Sequence, residues 1–557
     1  MKREMLKIPQ LNTNQLLLIT GVYFTFVLNY PFLSRFIKAI LALDEFNVLF
    51  LLTVPLLLCS LLVILFSVFS IKYIVKPVLV ILILASSLVF YGSLHYGIVF
   101  DYGMIQNSIE TNSAEALSYL NIELFLYFLI FGVIPASLIA LCPLTYQYFV
   151  SEIISRFILL LLAMTTVFVI AFFYYQDYAS VGRNNSHLKK FIVPSQFLSS
   201  TYKYAKRNYF DEPLTFVSLD NTPTDTSPNK KEVIVLVVGE TARAENFSVN
   251  GYEKPTNSHT QQYQLTSFKN MYSCGTATAV SVPCMFSSLT REKFNRRKAD
   301  HQQNLLDVMS LAGVDVLWVD NNGCKNVCSR IPTINIDVNQ ESPLCDGKHC
   351  QDEILLTPLK YKLANLSQNK TVIVLHMMGS HGPTYFKRYP NQHKKFIPDC
   401  NRSDIQNCSS EELINTYDNT IAYTDYVLSQ VIDQLKNLPN NMNKSMVYIS
   451  DHGESLGESG VYLHGFPYAF SPKEQRHIPM LVWMSQQNQQ KNNDPKCLTQ
   501  LADSGNYSHD NIYHSMLGLL DINSSTYQES LDIFSKCPRS TTNSAMQIAQ
   551  AQPGKSQ

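Results

Sequence analysis

The hydrophobic pattern divides the chain into two parts. Up to about residue 176, long and nearly uncharged apolar runs dominate, whereas short apolar runs alternate with polar segments beyond that point. Five runs are long enough to cross about 30 Å of hydrocarbon as α-helices. They cover Gln15–Leu33, Val48–Phe69, Ile74–Tyr91, Ile122–Cys142 and Phe157–Tyr175. The pattern therefore predicts a five-helix transmembrane domain over residues 1–176, followed by a water-soluble part.

In the second part, short β-branched runs alternate with helix-like segments. The runs are Val233–Val238, Val314–Val319, Thr371–Leu375, Met446–Ile449 and Ile478–Trp483, with helix-like stretches at Asn304–Leu311 and Glu411–Leu435. Continuous apolar strands separated by helices are typical of an α/β domain whose mostly parallel sheet is covered on both faces. We expect this domain over residues 233–538, after a connecting region over 177–232 and before a disordered polar tail over 539–557.

Basic residues indicate how the membrane part is oriented. Lys2, Arg3 and Lys7 lie before the first predicted helix, and Lys72 and Lys76 lie between the second and third. The loop after the third helix has acidic residues and no lysine or arginine. The positive-inside bias predicts a cytoplasmic N-terminus, and five crossings then place the second part on the other side. The net charge of zero and the lack of a basic run argue against a nucleic-acid partner.

Cysteine usage agrees with an exported second part. Ten of the twelve cysteines lie there: Cys274, Cys284, Cys324, Cys328, Cys345, Cys350, Cys400, Cys408, Cys497 and Cys537. An even set in close sequential pairs predicts disulfides in an oxidising compartment. A zinc–thiolate cluster is the alternative, but such sites prefer CxxC pairs. Pairing by closeness in sequence leaves Cys497 for Cys537.

Polar residues after the predicted strands suggest a metal site. Glu240 follows the first strand, Asp451 and His452 follow the fourth, and His381 and His464 lie in the loops beyond. In open α/β sheets, ligands bind outside the carboxyl ends of the strands. Any one of these residues is more often a helix cap, a core residue or a surface residue. Carboxylates and imidazoles that converge in one crevice, however, suit zinc.

The stretch CGTATAVSVPCMFSSLT is a candidate for the reacting group. Its first part lies between Cys274 and Cys284, and it then enters a helix-like apolar segment. A hydroxyl at a helix N-terminus lies among unpaired N–H groups that favour phosphate, and bound zinc lowers a hydroxyl's pKa so that it can act as a nucleophile. The alternative is that these hydroxyls only cap the helix. The residues alone do not decide among Thr276, Thr278 and Ser281.

Long motifs across nearly the whole chain carry a family resemblance. The membrane part, GETARAENFSVNGY, CGTATAVSVPCMFS, LHMMGSHGP and SDHGESLGESGVYLHG together resemble the lipid A phosphoethanolamine transferases, which include the mobile colistin-resistance proteins. The resemblance implies an alkaline phosphatase/sulfatase-like fold for the α/β domain and a nucleophilic role for Thr278. It implies a zinc site made of Glu240, Thr278, Asp451 and His452, with His381 and His464 holding a second zinc or the substrate phosphate.

Two further elements gain a role from the resemblance. Lys325 in GCKNVCSRIP corresponds to an anion-binding lysine, in a loop one residue shorter than the family's, and His376 is interpreted as structural. In GMIQNSIETNSAEALSYL, Asn107, Thr111 and Glu115 share one helix face at i, i+4 and i+8. A solvated face is the ordinary explanation. The resemblance implies contact with the ethanolamine ammonium, chiefly by the carboxylate of Glu115.

The resemblance thus implies a monomeric, zinc-dependent enzyme of the bacterial inner membrane with a periplasmic catalytic domain. It would move phosphoethanolamine from phosphatidylethanolamine to a lipid A phosphate through Thr278, which lowers surface negative charge and gives polymyxin and colistin resistance. The alternatives are a membrane-tethered glycerophosphate transferase, a sulfatase or phosphatase that uses water, and a catalytically inactive membrane-anchored sensor.

Overall fold

The computed structural model describes residues 10–41, 48–110, 119–185, 187–212, 214–403, 405–485 and 495–537. These residues form two compact units. The first consists mainly of the described residues between 10 and 109 and between 119 and 211. The second consists mainly of those between 212 and 459 and between 463 and 537. The predicted tail over 539–557 lies outside the described residues.

The first unit is built from apolar helices. They are α1 Thr13–Tyr23, α2 Tyr30–Leu41, α3 Val48–Ser67, α4 Val75–His95, α5 Tyr102–Glu110, α6 Ile122–Phe128, α7 Ile134–Leu141, α8 Phe149–Asn184 and α9 Ser195–Ala205. Two short strands, β1 Leu11–Asn12 and β2 Leu144–Thr145, pair in parallel. Among the described residues, four helical stretches are long and apolar enough to cross a membrane: Val48–Ser67, Val75–His95, Ile122–Leu141 and Phe149–Tyr175.

The first predicted membrane helix, Gln15–Leu33, is broken in the structure. Thr13–Leu28 and Tyr30–Leu41 meet at an angle of 63°. The break follows a π-helical turn and lies at Asn29, just before Pro31, which has no N–H to continue the helix. The buried Asn29 side chain hydrogen-bonds backbone groups of the preceding turn and of a distant segment, so the break leaves fewer polar groups unpaired. A fifth span exists only if this bent pair is one span.

The second unit contains an eight-stranded sheet, as the alternating pattern predicts. The strands of this part of the chain are β3 Thr224–Asp225, β4 Glu232–Gly239, β5 Thr266–Tyr272, β6 Asp315–Asp320, β7 Thr333–Asn335, β8 Lys370–His376, β9 Asn443–Ser450, β10 Ser455–Leu456, β11 Tyr462–Leu463, β12 His477–Met484, β13 Tyr507–Ser508 and β14 Ile522–Asn523. The sheet order is β13-β5-β12-β9-β4-β8-β6-β7. Only β12 runs antiparallel to its neighbours, so the predicted mostly parallel α/β sheet is confirmed.

Helices cover the sheet. They are α10 Thr278–Met285, α11 Arg296–Asp300, α12 Leu305–Leu311, α13 Leu356–Ala364, α14 Ser410–Lys436, α15 Pro495–Ser504 and α16 Ile512–Leu519. All eight residues of β4 are buried, as expected of a central strand covered on both faces. The longest helix, α14, begins with a capping box in which Ser409 and Glu412 satisfy each other's backbone N–H groups.

The polar stretch before β4 packs against the second unit. β3 pairs antiparallel with β14. The buried Asp220 carboxylate accepts hydrogen bonds from the Ser524 hydroxyl and the Ser525 N–H, both at 2.7 Å. The polar residues that suggested a connecting segment therefore form specific hydrogen bonds with the second unit.

The five predicted disulfides are present. They join Cys274 to Cys284, Cys324 to Cys328, Cys345 to Cys350, Cys400 to Cys408, and Cys497 to Cys537. The first four close loops of only 4 to 10 residues in sequence, whereas the last joins positions 40 residues apart. The pairing by closeness in sequence is confirmed, including the pair that remained after the others were assigned.

Candidate active site

The candidate site lies at the carboxyl edge of the parallel strands. In the register of the sheet, Gly239 at the end of β4 lies opposite Ser450 at the end of β9. Glu240 and Asp451 are the next residues after these two strand ends, and His452 follows. All three side chains are fully buried. Parallel pairing thus brings together residues that are more than 200 positions apart in the chain.

Two carboxylates and an imidazole form a compact cluster. Single ligand atoms of Glu240, Asp451 and His452 all lie within 4.8 Å of one another. His452 Nε2 is 3.3 Å from Glu240 Oε1 and 3.4 Å from Asp451 Oδ2. His452 Nδ1 is 2.8 Å from the carbonyl oxygen of Gly453. That contact places a proton on Nδ1 and directs Nε2 into the cluster, as in histidines that bind metals.

The structure separates the three candidate hydroxyls. Thr278 is the first residue of α10, and its hydroxyl donates toward the two carboxylate oxygens of Glu240 at 3.1 and 3.2 Å. The same oxygen is 3.4 Å from His452 Nε2. The Thr276 hydroxyl instead donates to a backbone carbonyl, and Ser281 donates to the other carboxylate and to a carbonyl one turn back. Of the three, only Thr278 contacts both Glu240 and the histidine.

The pKa values of the three buried groups indicate that positive charge stabilises the cluster. Burial raises the pKa of Asp451 to about 6, and the neighbouring Glu240 raises it as well. Burial opposes ionisation of Glu240 too, but the hydrogen bond and charge of His452 hold its pKa well below the usual value. Burial lowers the pKa of His452, yet Asp451 and Glu240 outweigh it and raise this pKa to about 10. A divalent cation would replace the trapped proton and balance both carboxylates, so the residues fit zinc.

Two more histidines adjoin the cluster. The ring centroid of His464 is 4.6 Å from that of His452 and 5.2 Å from that of His381. His381 Nδ1 is 2.8 Å from the carbonyl oxygen of Gly382, so Nε2 is the ring nitrogen that could bind a metal or a phosphate. Both predicted residues are therefore next to the carboxylate–histidine cluster, with nitrogen atoms suited to a metal or a phosphate.

A tight backbone contact holds the His381 loop in place. Gly379 has φ of +51°, and a Cβ there would lie 2.6 Å from the carbonyl oxygen of Glu240. The fully buried Asp352 accepts hydrogen bonds from the N–H groups of Met378 and Gly379, each at 2.8 Å. Glycine is required because only it combines this conformation with so close an approach.

Sequence reasoning missed two side chains of the site. Asn322, in the loop after β6, donates to Glu240 Oε2 at 2.7 Å. The fully buried Glu454 accepts from the Tyr385 hydroxyl at 3.0 Å, and its other oxygen is 3.4 Å from His464 Nδ1. Both lie within stretches quoted above or directly beside them. The sequence feature that could have revealed them is their position just after a strand end. Many ordinary loop residues share that position, so it did not distinguish these two.

The other predicted residues are placed differently. His376 is buried behind the cluster, with Nδ1 2.9 Å from Asp320 Oδ1. Lys325 has a left-handed backbone, and no hydrogen bond joins its ammonium to the cluster among the described residues. Asn107 is buried in α5 of the first unit. The predicted Thr111 and Glu115 lie outside the described residues.

A buried neutral histidine next to the site makes stability depend on pH. His509 accepts from the Cys274 N–H at 3.1 Å and donates to the Ser450 carbonyl at 3.0 Å. Burial lowers its pKa to about 3. The unfolded chain takes up this proton near pH 6.5 and the folded chain does not, so stability falls as the pH drops below 6.5. Between pH 7.5 and pH 5, we expect a loss of about 2 kcal/mol from this group.

The measurement is the melting temperature of the detergent-solubilised protein at the two pH values, beside His509→Gln. Glutamine keeps a donor and an acceptor but does not titrate, so the variant should show a smaller drop between the two pH values. An equal drop in both proteins would assign the acid sensitivity to other groups.

The chain is similar to known proteins over most of its length. Residues 232–522 match the Sulfatase family, and residues 58–209 match the family described as phosphoethanolamine transferase EptA/EptB. The phosphoethanolamine transferase EptA of Escherichia coli K12 is 39% identical over 548 residues, which cover 97% of this chain and 100% of that protein. The phosphatidylethanolamine transferase Mcr-1 of Escherichia coli is 33% identical over 516 residues, which cover 90% and 94%.

A solved structure extends the agreement to both units. The integral membrane lipooligosaccharide phosphoethanolamine transferase A of Neisseria meningitidis aligns with a TM-score of 0.90 and 37% identity, over 95% of this chain and 100% of that one. The expected helical membrane part and sulfatase-like α/β fold are confirmed. Since similarity at this level spans nearly the full length of both chains, the chain belongs to the phosphoethanolamine transferase family.

Proposed function

We propose that this protein transfers phosphoethanolamine from phosphatidylethanolamine to a phosphate of lipid A through a covalent intermediate on Thr278. The observation that carries the proposal is the contact of the Thr278 hydroxyl with Glu240 and His452 at the N-terminus of α10. The names of two relatives, the phosphatidylethanolamine transferase Mcr-1 and the lipooligosaccharide phosphoethanolamine transferase A, support the donor and the acceptor.

Glu240, Thr278, Asp451 and His452 would hold zinc, and His381 and His464 would hold a second zinc or the phosphate oxygens. When bound, zinc supplies positive charge that lowers the pKa of the hydroxyl and offsets charge on the phosphoryl oxygens. The protein's own part is orientation: the hydrogen bond to Glu240 fixes the Thr278 oxygen, and the N–H groups of the first turn of α10 face the incoming anion.

In the first step, the Thr278 oxygen forms a bond to the phosphorus of phosphatidylethanolamine. The bond from phosphorus to the diacylglycerol oxygen breaks, and the hydroxyl proton of Thr278 ends on that leaving oxygen. Where His381 and His464 bind the phosphate rather than a second zinc, one of them would relay this proton, since their rings lie beside His452. Thr278 then carries the phosphoethanolamine group.

In the second step, a phosphate oxygen of lipid A attacks the same phosphorus. The bond to the Thr278 oxygen breaks, and the proton of the acceptor phosphate returns to Thr278. The product is a diphosphate capped by an ammonium group. Because this cap lowers the negative charge of the membrane surface, cationic polymyxins such as colistin bind less well and resistance follows.

The remaining residues are assigned to substrate binding. Lys325 would attract the phosphate, and Asn107, Thr111 and Glu115 would meet the donor's ammonium, with Glu115 supplying the opposite charge. We place the monomeric protein in the bacterial inner membrane with its catalytic domain in the periplasm. The apolar spans and the five disulfides support this location.

The test is mass spectrometry of the purified protein after incubation with phosphatidylethanolamine. We expect one phosphoethanolamine group on the peptide that contains Thr278, and its loss when lipid A is added. A matched incubation with phosphatidylglycerol tests the glycerophosphate alternative and should leave the protein unmodified. An adduct on Thr276 or Ser281 would correct the nucleophile, and the absence of both adduct and modified lipid A would refute the function.

A further inference from the structure

A cavity of about 270 Å³ adjoins the carboxylate–histidine cluster in the second unit. Its walls are the loops that follow β6, β7 and β8, together with the loop closed by the disulfide between Cys345 and Cys350. The carboxyl ends of parallel strands share one edge of the sheet, so these loops lie on the same side as Glu240. The cavity has no part in the steps described above.

One side chain connects the cavity to the nucleophile. Asn322 lines the cavity, and its side-chain nitrogen is 2.7 Å from Glu240 Oε2. The same carboxylate oxygen is 3.1 Å from the hydroxyl of Thr278. The Asn322 amide and the Glu240 carboxylate therefore connect a ligand in this cavity to the Thr278 hydroxyl.

The walls combine hydrogen-bonding groups, a cation and apolar surface. The Asn335 amide and the exposed ammonium of Lys348 lie at the rim, while Ile336 and Val338 form an apolar wall. His349 is 8% exposed, and its Nδ1 is buried with no hydrogen-bond partner among the described residues. A buried polar atom without a partner is costly, which marks it as a group kept for a ligand or water.

The charges of the walls favour a neutral or anionic ligand. Asp320 is the carboxylate that lines the cavity, but it already accepts hydrogen bonds from His376 and from the backbone N–H groups of Asn322 and Gly323. Burial lowers the pKa of His349 to about 4, so the imidazole is neutral near pH 7 and presents one donor and one acceptor. Lys348 supplies positive charge at the rim of the cavity.

We propose that this cavity binds the phosphorylated sugar of the acceptor lipid during the second step. This inference rests on the function proposed above. Hydroxyl groups match the amides of Asn322 and Asn335 and the imidazole of His349, a ring face matches the apolar wall, and a phosphate matches Lys348. The donor fits poorly because its ammonium would meet the ammonium of Lys348, and its two acyl chains exceed a cavity of about 270 Å³.

The volume agrees with a sugar ring as the occupant. Small-molecule sites typically enclose roughly 300–1,000 Å³. At about 270 Å³, the cavity is at the lower end and suits one monosaccharide unit. The acyl chains of the acceptor would therefore stay outside it.

The test compares the two half-reactions in the full-length protein. Lys348→Glu reverses the charge at the rim, and Asn335→Trp fills the cavity from an exposed position. The matched controls are Lys360→Glu on α13 and Asn441→Trp before β9, both exposed and outside the cavity. Diacylglycerol release from phosphatidylethanolamine reports the first step, and mass spectrometry of lipid A reports the second.

We expect the ratio of the second rate to the first to fall about tenfold in both cavity variants, equivalent to about 1.4 kcal/mol, and to stay within twofold of wild type in both controls. A raised KM for lipid A should account for most of the fall. If the cavity variants instead slow the first step, the donor's phosphate occupies the cavity and the proposal is wrong. Unchanged rates in both steps would also refute it. Wild-type protein that makes no modified lipid A would refute the proposed function itself, which is a separate result.

Discussion

Replacement of Thr278 by alanine should abolish both half-reactions, with a fall of roughly 10⁴- to 10⁶-fold in the rate of phosphoethanolamine transfer. The alanine side chain offers no oxygen to form the bond to phosphorus, and the remaining groups bind substrate without a covalent route. Diacylglycerol release and modified lipid A are both measured, along with the adduct on the enzyme. Serine at position 278 keeps the hydroxyl and should retain part of the activity.

Thr276 supplies the matched control. Its hydroxyl donates to the carbonyl of Phe466 at 2.7 Å and serves the backbone. Thr276→Val should keep the transfer rate within about fivefold, because a single neutral hydrogen bond contributes about 1 kcal/mol. If Thr278→Ala transferred phosphoethanolamine at the rate of the unaltered protein, another group would be the nucleophile and the mechanism proposed for Thr278 would be wrong.

Conversion of Glu240 to glutamine should remove most of the bound zinc and slow transfer by roughly 10³-fold. Its carboxylate has three roles: it accepts from Thr278, lies 3.3 Å from His452 Nε2, and accepts from Asn322. The amide keeps the shape but loses the charge and one pair of acceptor sites. Zinc content measured by elemental mass spectrometry, per mole of purified protein, should fall well below one.

Glu245→Gln is the control for the zinc measurement. Glu245 lies only five positions further along the same loop, but its carboxylate contacts His477 at 2.7 Å and is outside the cluster. This variant should keep its metal and most of its activity. Full zinc occupancy and a normal rate in Glu240→Gln would show that the carboxylate–histidine cluster is not the metal site.

Several residues of the candidate site were predictable because their sequence neighbours show that each one follows a buried strand. Glu240 and Asp451 each follow a run of buried apolar residues, and such runs form the central strands of a parallel sheet. Parallel strands in one sheet end at one edge, and the direct pairing of β4 with β9 brings the two carboxylates together. Short disulfide loops were predictable for the same reason, since the partners are close in the chain before it folds.

The membrane part shows the limit of a hydropathy pattern. The run Gln15–Leu33 is apolar throughout, and apolar length alone predicts one continuous helix. Asn29 and Pro31 introduce the 63° bend, but the bend is tolerated because Asn29 reaches backbone groups of a segment 164 residues away. No window of neighbouring residues contains that partner.

The sequence by itself determined the two-part organisation, the mostly parallel sheet, the disulfide pairs and the candidate metal ligands, because apolar periodicity, strand ends and short loops are properties of neighbouring residues. Neighbouring residues did not distinguish Thr276, Thr278 and Ser281, whereas the structure shows that only the Thr278 hydroxyl contacts both Glu240 and His452. Tertiary structure alone also revealed Asn322, Glu454 and the cavity around His349. These depend on distances of about 3 Å between side chains from separate loops, and such distances are set by how the whole domain packs.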